Sequence, residues 1–380
     1  MRDMLRYGII GSGMMGQEHI RNIALLPGAK VTAISDPDAE MREAGAGLAG
    51  GATVFSDHRK LLESDLADIL VVASPNHTHA AILTDALSGD WPVMIEKPLC
   101  TNLADGARIA ATARGRKAPV WVAMEYRYMP PVARLIELAH SGAAGPIRVV
   151  SIREHRYPFL NKVGHWNRFA RFSGGTLVEK CCHFFDLMRL VLRDEAVRVF
   201  ASGAADVNHR DESYGGETPD IIDNALVVVD FSRGARAMLE LCMFAEGSFF
   251  QEEIAAIGDA AKLEAKVPGP ARFLPEGEAR EAEFIVSPRA TKTPMREISH
   301  VDPGVLSAGD HHGSTYFQHL RFMGIVRSGG APEVTVEDGL RAVEIGLAAE
   351  ESVKTGLLVR LGGPSVITPL KDKSAGGFAA

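Results

Sequence analysis

Residues 174–186 read Gly-Gly-Thr-Leu-Val-Glu-Lys-Cys-Cys-His-Phe-Phe-Asp, placing two cysteines, a histidine and two carboxylates in one apolar run. On a helix, residues at i, i+4 and i+7 share a face, so the spacing predicts that Glu179, His183 and Asp186 form one stripe. A carboxylate beside an imidazole fixes its tautomer and raises its basicity, which is the chemistry of a general base that takes a proton from a hydroxyl. On the residues alone the first reading is instead a core histidine packed among Phe184, Phe185 and Leu187. Cys181 and Cys182 point about 100° apart on a helix and lack the two-to-four-residue separation of zinc ligands. They are expected to be small buried hydrophobes, and no metal is expected anywhere in the chain.

A second chemical signature lies near the N-terminus. Gly11-Ser12-Gly13-Met14-Met15-Gly16 follows the β-rich run LRYGII and opens a helical stretch. In a dinucleotide fingerprint the first glycine makes the turn, the second admits the pyrophosphate, and the third lets helix and strand pack closely. Asp36 ends the run VTAISD 20 residues after Gly16, where a carboxylate accepts from a ribose 2'-hydroxyl. Pro37 and Asp38 follow with no cation for a 2'-phosphate, so NAD is expected rather than NADP.

These groups need a scaffold. A chain of 380 residues with 46% apolar and 23% charged residues fits about two globular domains. Through residue 126, short apolar runs at Leu5 to Ile10, Lys30 to Ser35, Ile69 to Ala73, Pro92 to Ile95 and Val120 to Met124 alternate with helical spacing. This α/β pattern predicts a doubly wound parallel sheet, a Rossmann domain over 1–126. Residues 127–370 are expected to form an α+β domain with an open, largely antiparallel mixed sheet. Its strands are read at Arg148 to His155, Val197 to Ala201, Ala225 to Phe231, Ala235 to Met243 and Glu252 to Ile257, with helices at 176–192 and Val336 to Thr355. Pro268 to Gly309 is read as long loops, and 371–380 as a mobile tail.

Composition narrows the partners. A net charge of -7 without a Lys/Arg tract argues against nucleic acid, and no apolar run approaches the ~18 residues of a membrane span. Four cysteines without a disulfide spacing and no export signal predict a cytoplasmic protein with a small-molecule partner.

SPNHTH (74–79) and IEKPL (95–99), together with GIIGSGMMG, the GG-x4-[DE]-x3-H-x2-D segment and the ending VEDGLRAVEIGLAAEESVKTGLLVRL, resemble the Gfo/Idh/MocA family of glucose-fructose oxidoreductase and inositol dehydrogenase type. The resemblance runs through nearly the whole chain. It implies an NAD-dependent oxidoreductase of sugars or polyols, a second sheet that builds a homo-oligomer, dimer or tetramer, and catalysis by Lys97 and His183. Lys97 ends a strand in the ligand crevice, and burial beside a cationic nicotinamide is expected to depress its pKa. Ser74, Pro75, Asn76, His79 and Glu96 are placed along the cofactor. Glu179 stands where relatives usually have Asp, and Lys180-Cys181 where they have a small or apolar pair, so Glu179 is read as supporting the catalytic pair or contacting substrate.

The resemblance also places the run REHRYPFLNKVGHWNRFARFSGG (153–175) at the pocket mouth. Arg156, Trp166, Arg168 and Arg171 become candidate substrate residues, and this density of guanidinium groups points to an anionic sugar derivative. Arg127 in EYRYMPP, where relatives often have an arginine after the last Rossmann strand, is read as an interdomain or substrate residue. His312 and Tyr316, at i and i+4, are read as a hydroxyl-binding pair; a metal held by His311 and His312 is the rival. The expected activity is hydride transfer from a ring hydroxyl of a sugar, cyclitol or sugar derivative to NAD. The alternatives are oxidoreductive glycoside cleavage by transient oxidation and elimination, and a non-catalytic NAD-binding regulator.

Overall fold

The computed structural model describes residues 4–362 and 367–369. Six parallel strands form the first sheet: β1 (Leu5–Ile10), β2 (Ala29–Ser35), β3 (Thr53–Phe55), β4 (Ile69–Val72), β5 (Val93–Ile95) and β6 (Val120–Val122), ordered β3-β2-β1-β4-β5-β6. Helices cover both faces, so β4 and β5 are buried at every position, which is why they read as unbroken apolar runs rather than alternating ones. The strand order reverses between β1 and β4, and a doubly wound sheet binds ligands beyond the carboxyl ends of its strands at that switch point. Gly11 and Glu96-Lys97 directly follow β1 and β5, and Ser74 follows β4 after Ala73.

The second sheet has ten strands: β7 (Ile147–His155), β8 (Ala196–Ala204), β9 (Asn224–Phe231), β10 (Arg236–Cys242), β11 (Glu252–Gly258), β12 (Ala261–Val267), β13 (Ala282–Pro288), β14 (Met295–Ser299), β15 (Val359–Leu361) and β16 (Ile367–Pro369). Their order is β14-β13-β12-β11-β7-β10-β9-β8-β15-β16, antiparallel except where β10 pairs with β7. Ala225, Val227, Val229 and Phe231 of β9 point into the core, while Leu226 and Val228 point out. Phe200 and Met238 flank Val228 across the register, so the outer face carries an exposed apolar row.

Two expectations require correction. Residues 268–309 are not only loops, because β13 and β14 extend the sheet by antiparallel pairing, Ala282 opposite Ser299 and Phe284 opposite Glu297. The predicted helix over 176–192 is two, Thr176–Glu179 and Cys182–Leu192, broken at Lys180 and Cys181. The helix Val336–Thr355 has its predicted ends, a Thr335/Asp338 capping box and Gly356 in the left-handed region. It packs on both sheets, with Gly339 against Val122 and Leu99 and Ser352 bonded to Ala201 of β8, so the chain's last long helix joins the two halves. The expected mobile tail at 371–380 lies outside the described residues. No helix among the described residues is long and apolar enough to cross a membrane.

Candidate active site

The glycine-rich turn has the build its spacing predicts. Gly11 has φ +94°, and a Cβ there would lie 2.6 Å from the Ala73 carbonyl; one on Gly16 would lie 2.0 Å from the Gly11 oxygen. Gly13 has nothing within 4 Å of that position, leaving an open side. No side chain caps the helix Met14–Ala24, so its first N–H groups and positive dipole end are free for an anion. Asp36 accepts from the Ser12 and Asp38 N–H groups at 2.8 and 2.9 Å, which fixes the carboxylate beside the turn. The residues present therefore fit a dinucleotide. Met14 also lines a crevice of about 550 Å³ with Gln17, Glu18, Arg272 and Asp310, spanning both halves of the molecule. Arg42 was not singled out in the sequence; it donates to the Asp36 and Pro37 carbonyls at 2.7 and 2.8 Å.

The loops after β4 and β5 are tied together by buried polar groups. His79 is fully buried, its ring nitrogens 2.8 Å from the Pro98 carbonyl and 3.0 Å from that of Ser74. It braces the two loops rather than offering a nitrogen to a cofactor. Ser74 accepts from the Thr78 hydroxyl, while Pro75 starts the turn that carries Asn76. Asn76 donates to the Ser173 carbonyl and to Glu179 Oε2. Glu96 is buried, held at 2.9 Å by His19 and at 3.2 Å by the Lys97 N–H.

Lys97 Nζ donates to the Glu179 carbonyl at 3.0 Å. The expected depression of its pKa is absent. Burial lowers it, but Glu179, Cys182, Glu96 and Glu125 more than offset that, and the ammonium is held above its ordinary value. The Glu179 carboxylate accepts from Lys162 at 2.9 Å as well as from Asn76. Burial opposes its charge, but Lys162, Lys97 and Asn76 hold its pKa at about 2.

His183 is buried and stacks on Tyr126, with ring centroids 4.1 Å apart and an interplanar angle of 5°. Its Nδ1 is buried without a hydrogen-bond partner. Burial, then the positive charges of Lys97, Lys180, His311 and Arg156, hold its pKa well below the ordinary value, so the ring is neutral. The predicted carboxylate–imidazole stripe does not form. The break at Lys180 turns Glu179 toward Lys162, and Asp186 is clamped by Arg127 through Nε at 2.6 Å and through Nη2.

Of the two roles read for Arg127, that clamp fits the interdomain one and not the substrate one, since the side chain is buried and reaches Asp186 and the Glu333 carbonyl. Arg168 bonds Glu212 and Asn161, both at 2.8 Å; Arg171 pairs with Glu217 at 2.6 Å; Arg153 pairs with Glu253. Arg156 lies 3.5 Å from Glu154 and over the Tyr157 ring. Each of these guanidinium groups has an acceptor within the chain, although Arg168 Nη1 is buried without one. Trp166 is buried under Lys162 Nζ, 4.5 Å from its ring. His312 has φ +51° and precedes the helix Ser314–Ser328, so it does not make the expected i, i+4 pair with Tyr316. Burial pushes the His312 pKa down to about 4.

His311 takes a different path from its neighbour. Its Nδ1 lies 2.8 Å from Glu18 and 3.4 Å from Glu125. Burial opposes its charge, but the two carboxylates raise its pKa to about 9. The ligand atoms of these three residues lie within 4.8 Å of one another, so the spacing an ion needs belongs to this trio and not to the His311–His312 pair. Cys181 and Cys182 are fully buried, and burial raises both thiols, Cys182 to about 12, which removes them as nucleophiles. The sequence reading missed Tyr126, Lys162, Lys180, Glu154, Glu18 and Glu125, all charged or hydroxyl-bearing and all placed by contacts distant in sequence. A larger cavity of about 800 Å³ lies elsewhere, lined by Pro130, Ala133, Ile136, Phe317 and Leu320 together with Glu137, His140, His300 and Glu333; Lys97, Glu179 and His183 are not among its lining residues.

The model of an oxidoreductase family, NAD-binding Rossmann fold, matches residues 5–124, and that of the same family's C-terminal alpha/beta domain matches residues 137–361. A myo-inositol 2-dehydrogenase of Thermotoga maritima is 27% identical over 94% of this chain and 98% of its own. Among solved structures, an oxidoreductase domain protein from Kribbella flavida superposes with a TM-score of 0.80 at 22% identity, over 95% of this chain and all of that one. A levoglucosan dehydrogenase in complex with NADH and levoglucosan gives 0.78 at 19% identity, over 94% and 99% of the two chains. At these identities the structural matches establish the fold.

Proposed function

Since the chain belongs to the Gfo/Idh/MocA oxidoreductase family and carries its NAD-binding Rossmann domain, we propose that it oxidises a ring hydroxyl of an uncharged sugar or cyclitol. The observation that carries this reading is the pairing of a charged Lys97 with a neutral His183 beside Glu179, at the carboxyl ends of the first sheet. NAD, when bound along Gly11–Gly16 and Asp36, supplies the hydride acceptor. His183 takes the hydroxyl proton, and the Lys97 ammonium donates to the oxygen as negative charge develops on it. Glu179 balances the charge of Lys97 and holds Lys162 and Asn76 in place. The relatives' named substrates, myo-inositol and levoglucosan, are uncharged polyhydroxy rings, in keeping with arginines that are already paired. The reading is tested by following NADH formation across a panel of cyclitols, neutral sugars and uronates; activity confined to uronates would overturn the substrate class.

Asp36 is the cofactor-specificity residue in this account. Asp36→Ala removes a charged acceptor worth about 1.5–3 kcal/mol, so the NAD dissociation constant is expected to rise about 10- to 100-fold. Fluorescence titration with NAD and NADP checks this, and an unchanged NAD affinity would contradict the role.

The exposed row of Phe200, Leu226, Val228 and Met238 is the surface on which copies of this chain associate, since contiguous apolar area of this kind marks interfaces. Leu226→Lys with Val228→Lys is expected to lower the mass measured by light scattering to that of a smaller assembly without unfolding the subunit. The four free thiols suit a reducing cytoplasm.

A further inference from the structure

The base in this site lacks the usual means of orienting an imidazole. His183 Nδ1 has no hydrogen-bond partner, and the nearest helical carboxylate, Asp186, is clamped by Arg127. What holds the ring is its near-parallel stack on Tyr126. Tyr126 is itself held at its far end by Lys180, whose Nζ donates to the phenol oxygen and sits 4.7 Å from the ring centroid. The helix break places this lysine inside the protein, 4% exposed, with Glu154 of β7 2.8 Å away. Glu252 of β11, directly across from Glu154, accepts from Gln251 at 2.6 Å and lies 3.3 Å from the same phenol oxygen.

We propose that Lys180 is a positioning residue: with Glu154 it fixes Tyr126, and Tyr126 sets the ring plane of His183. The inference rests on reading His183 as the base. A buried ammonium anchored by a carboxylate is a rigid strut, and a stack 4.1 Å deep transmits its position to the imidazole. Lys180 also acts through its charge. The charged groups acting on His183 are Lys97 after β5, Lys180 on its own segment, His311 ahead of Ser314–Ser328 and Arg156 just after β7, while Glu252 on β11, Glu154 on β7 and Glu125 act on Tyr126 beneath it. Lys180 is among the cations that keep the ring neutral.

Lys180→Met keeps the stem and removes the ammonium, while Tyr126→Phe keeps the stack and removes only the hydroxyl. Lys180→Met is expected to lower kcat about 10- to 100-fold, the size of effect of a misplaced catalytic group, with KM for NAD unchanged. The acidic limb of kcat/KM should move to higher pH, because losing a nearby cation makes His183 easier to protonate. Tyr126→Phe should reproduce the fall in kcat without that move, and Lys180→Arg should restore part of it. Wild-type kcat and an unmoved limb in Lys180→Met, with His183→Ala inactive, would overturn the proposal and leave the reading of the base intact. Turnover retained by His183→Ala would instead remove the reading itself. If Lys180→Met does not fold, Tyr126→Phe decides: reduced kcat supports the strut, and unchanged kcat overturns it.

Discussion

Lys97→Met is expected to lower kcat by about 10²- to 10⁴-fold while the NAD dissociation constant stays within about twofold. Methionine preserves the stem but cannot donate to an oxygen that gains negative charge as its proton leaves. The expectation is large because the ammonium is charged and anchored on the Glu179 carbonyl, where a fixed donor stabilises the developing charge without reorganising. Arginine should not substitute, since a planar guanidinium cannot occupy the point-charge position of an ammonium. A Lys97→Met enzyme with near-wild-type turnover and normal NAD binding would remove Lys97 from the chemistry.

Arg127→Met is expected to destabilise the protein by about 3–5 kcal/mol without changing the pH dependence of the residual activity. The guanidinium is 8% exposed and Asp186 fully buried. Its bidentate hold, with the Glu333 carbonyl and Asp338 nearby, ties the segment after β6 to the helix Cys182–Leu192 and to the start of Val336–Thr355. Removing the arginine leaves a buried carboxylate without its counter-charge. Asp186→Leu in the same chain should recover part of the loss by removing the stranded charge. The measurement is the denaturant midpoint of unfolding; a shift below about 1 kcal/mol, the typical worth of an exposed pair, would contradict the clamp.

The cofactor turn was legible because its determinants are local: glycines and a carboxylate at fixed offsets along a strand, turn and helix. The ends of Val336–Thr355 were legible for the same reason, Thr335 and Gly356 being caps. The break at Lys180 was not, since no Gly or Pro marks it and apolar spacing continues across it. Its cause is tertiary, a lysine drawn inward to Glu154 and Tyr126. The arginines misled in the same way. The acceptors of Arg127, Arg168 and Arg171 lie 59, 44 and 46 residues away in sequence, so the guanidinium groups look free until the chain is folded. Strands β13 and β14 were hidden by proline- and alanine-rich flanks and are defined by pairing with their neighbours. Lys97 and His183 were candidates only through the family pattern, whereas the reason His183 is neutral became visible only once the surrounding cations were placed.

The most direct test of the account is product stoichiometry. The purified protein is incubated with NAD and each of a set of cyclitols, neutral sugars and their glycosides, with NADH followed by absorbance and products by mass spectrometry. The account predicts one NADH per oxidised ring and a product two hydrogens lighter than the substrate. Cleavage of a glycoside with no net NADH would contradict it and assign the same residues to oxidation and elimination; NAD binding without turnover on any member would contradict both.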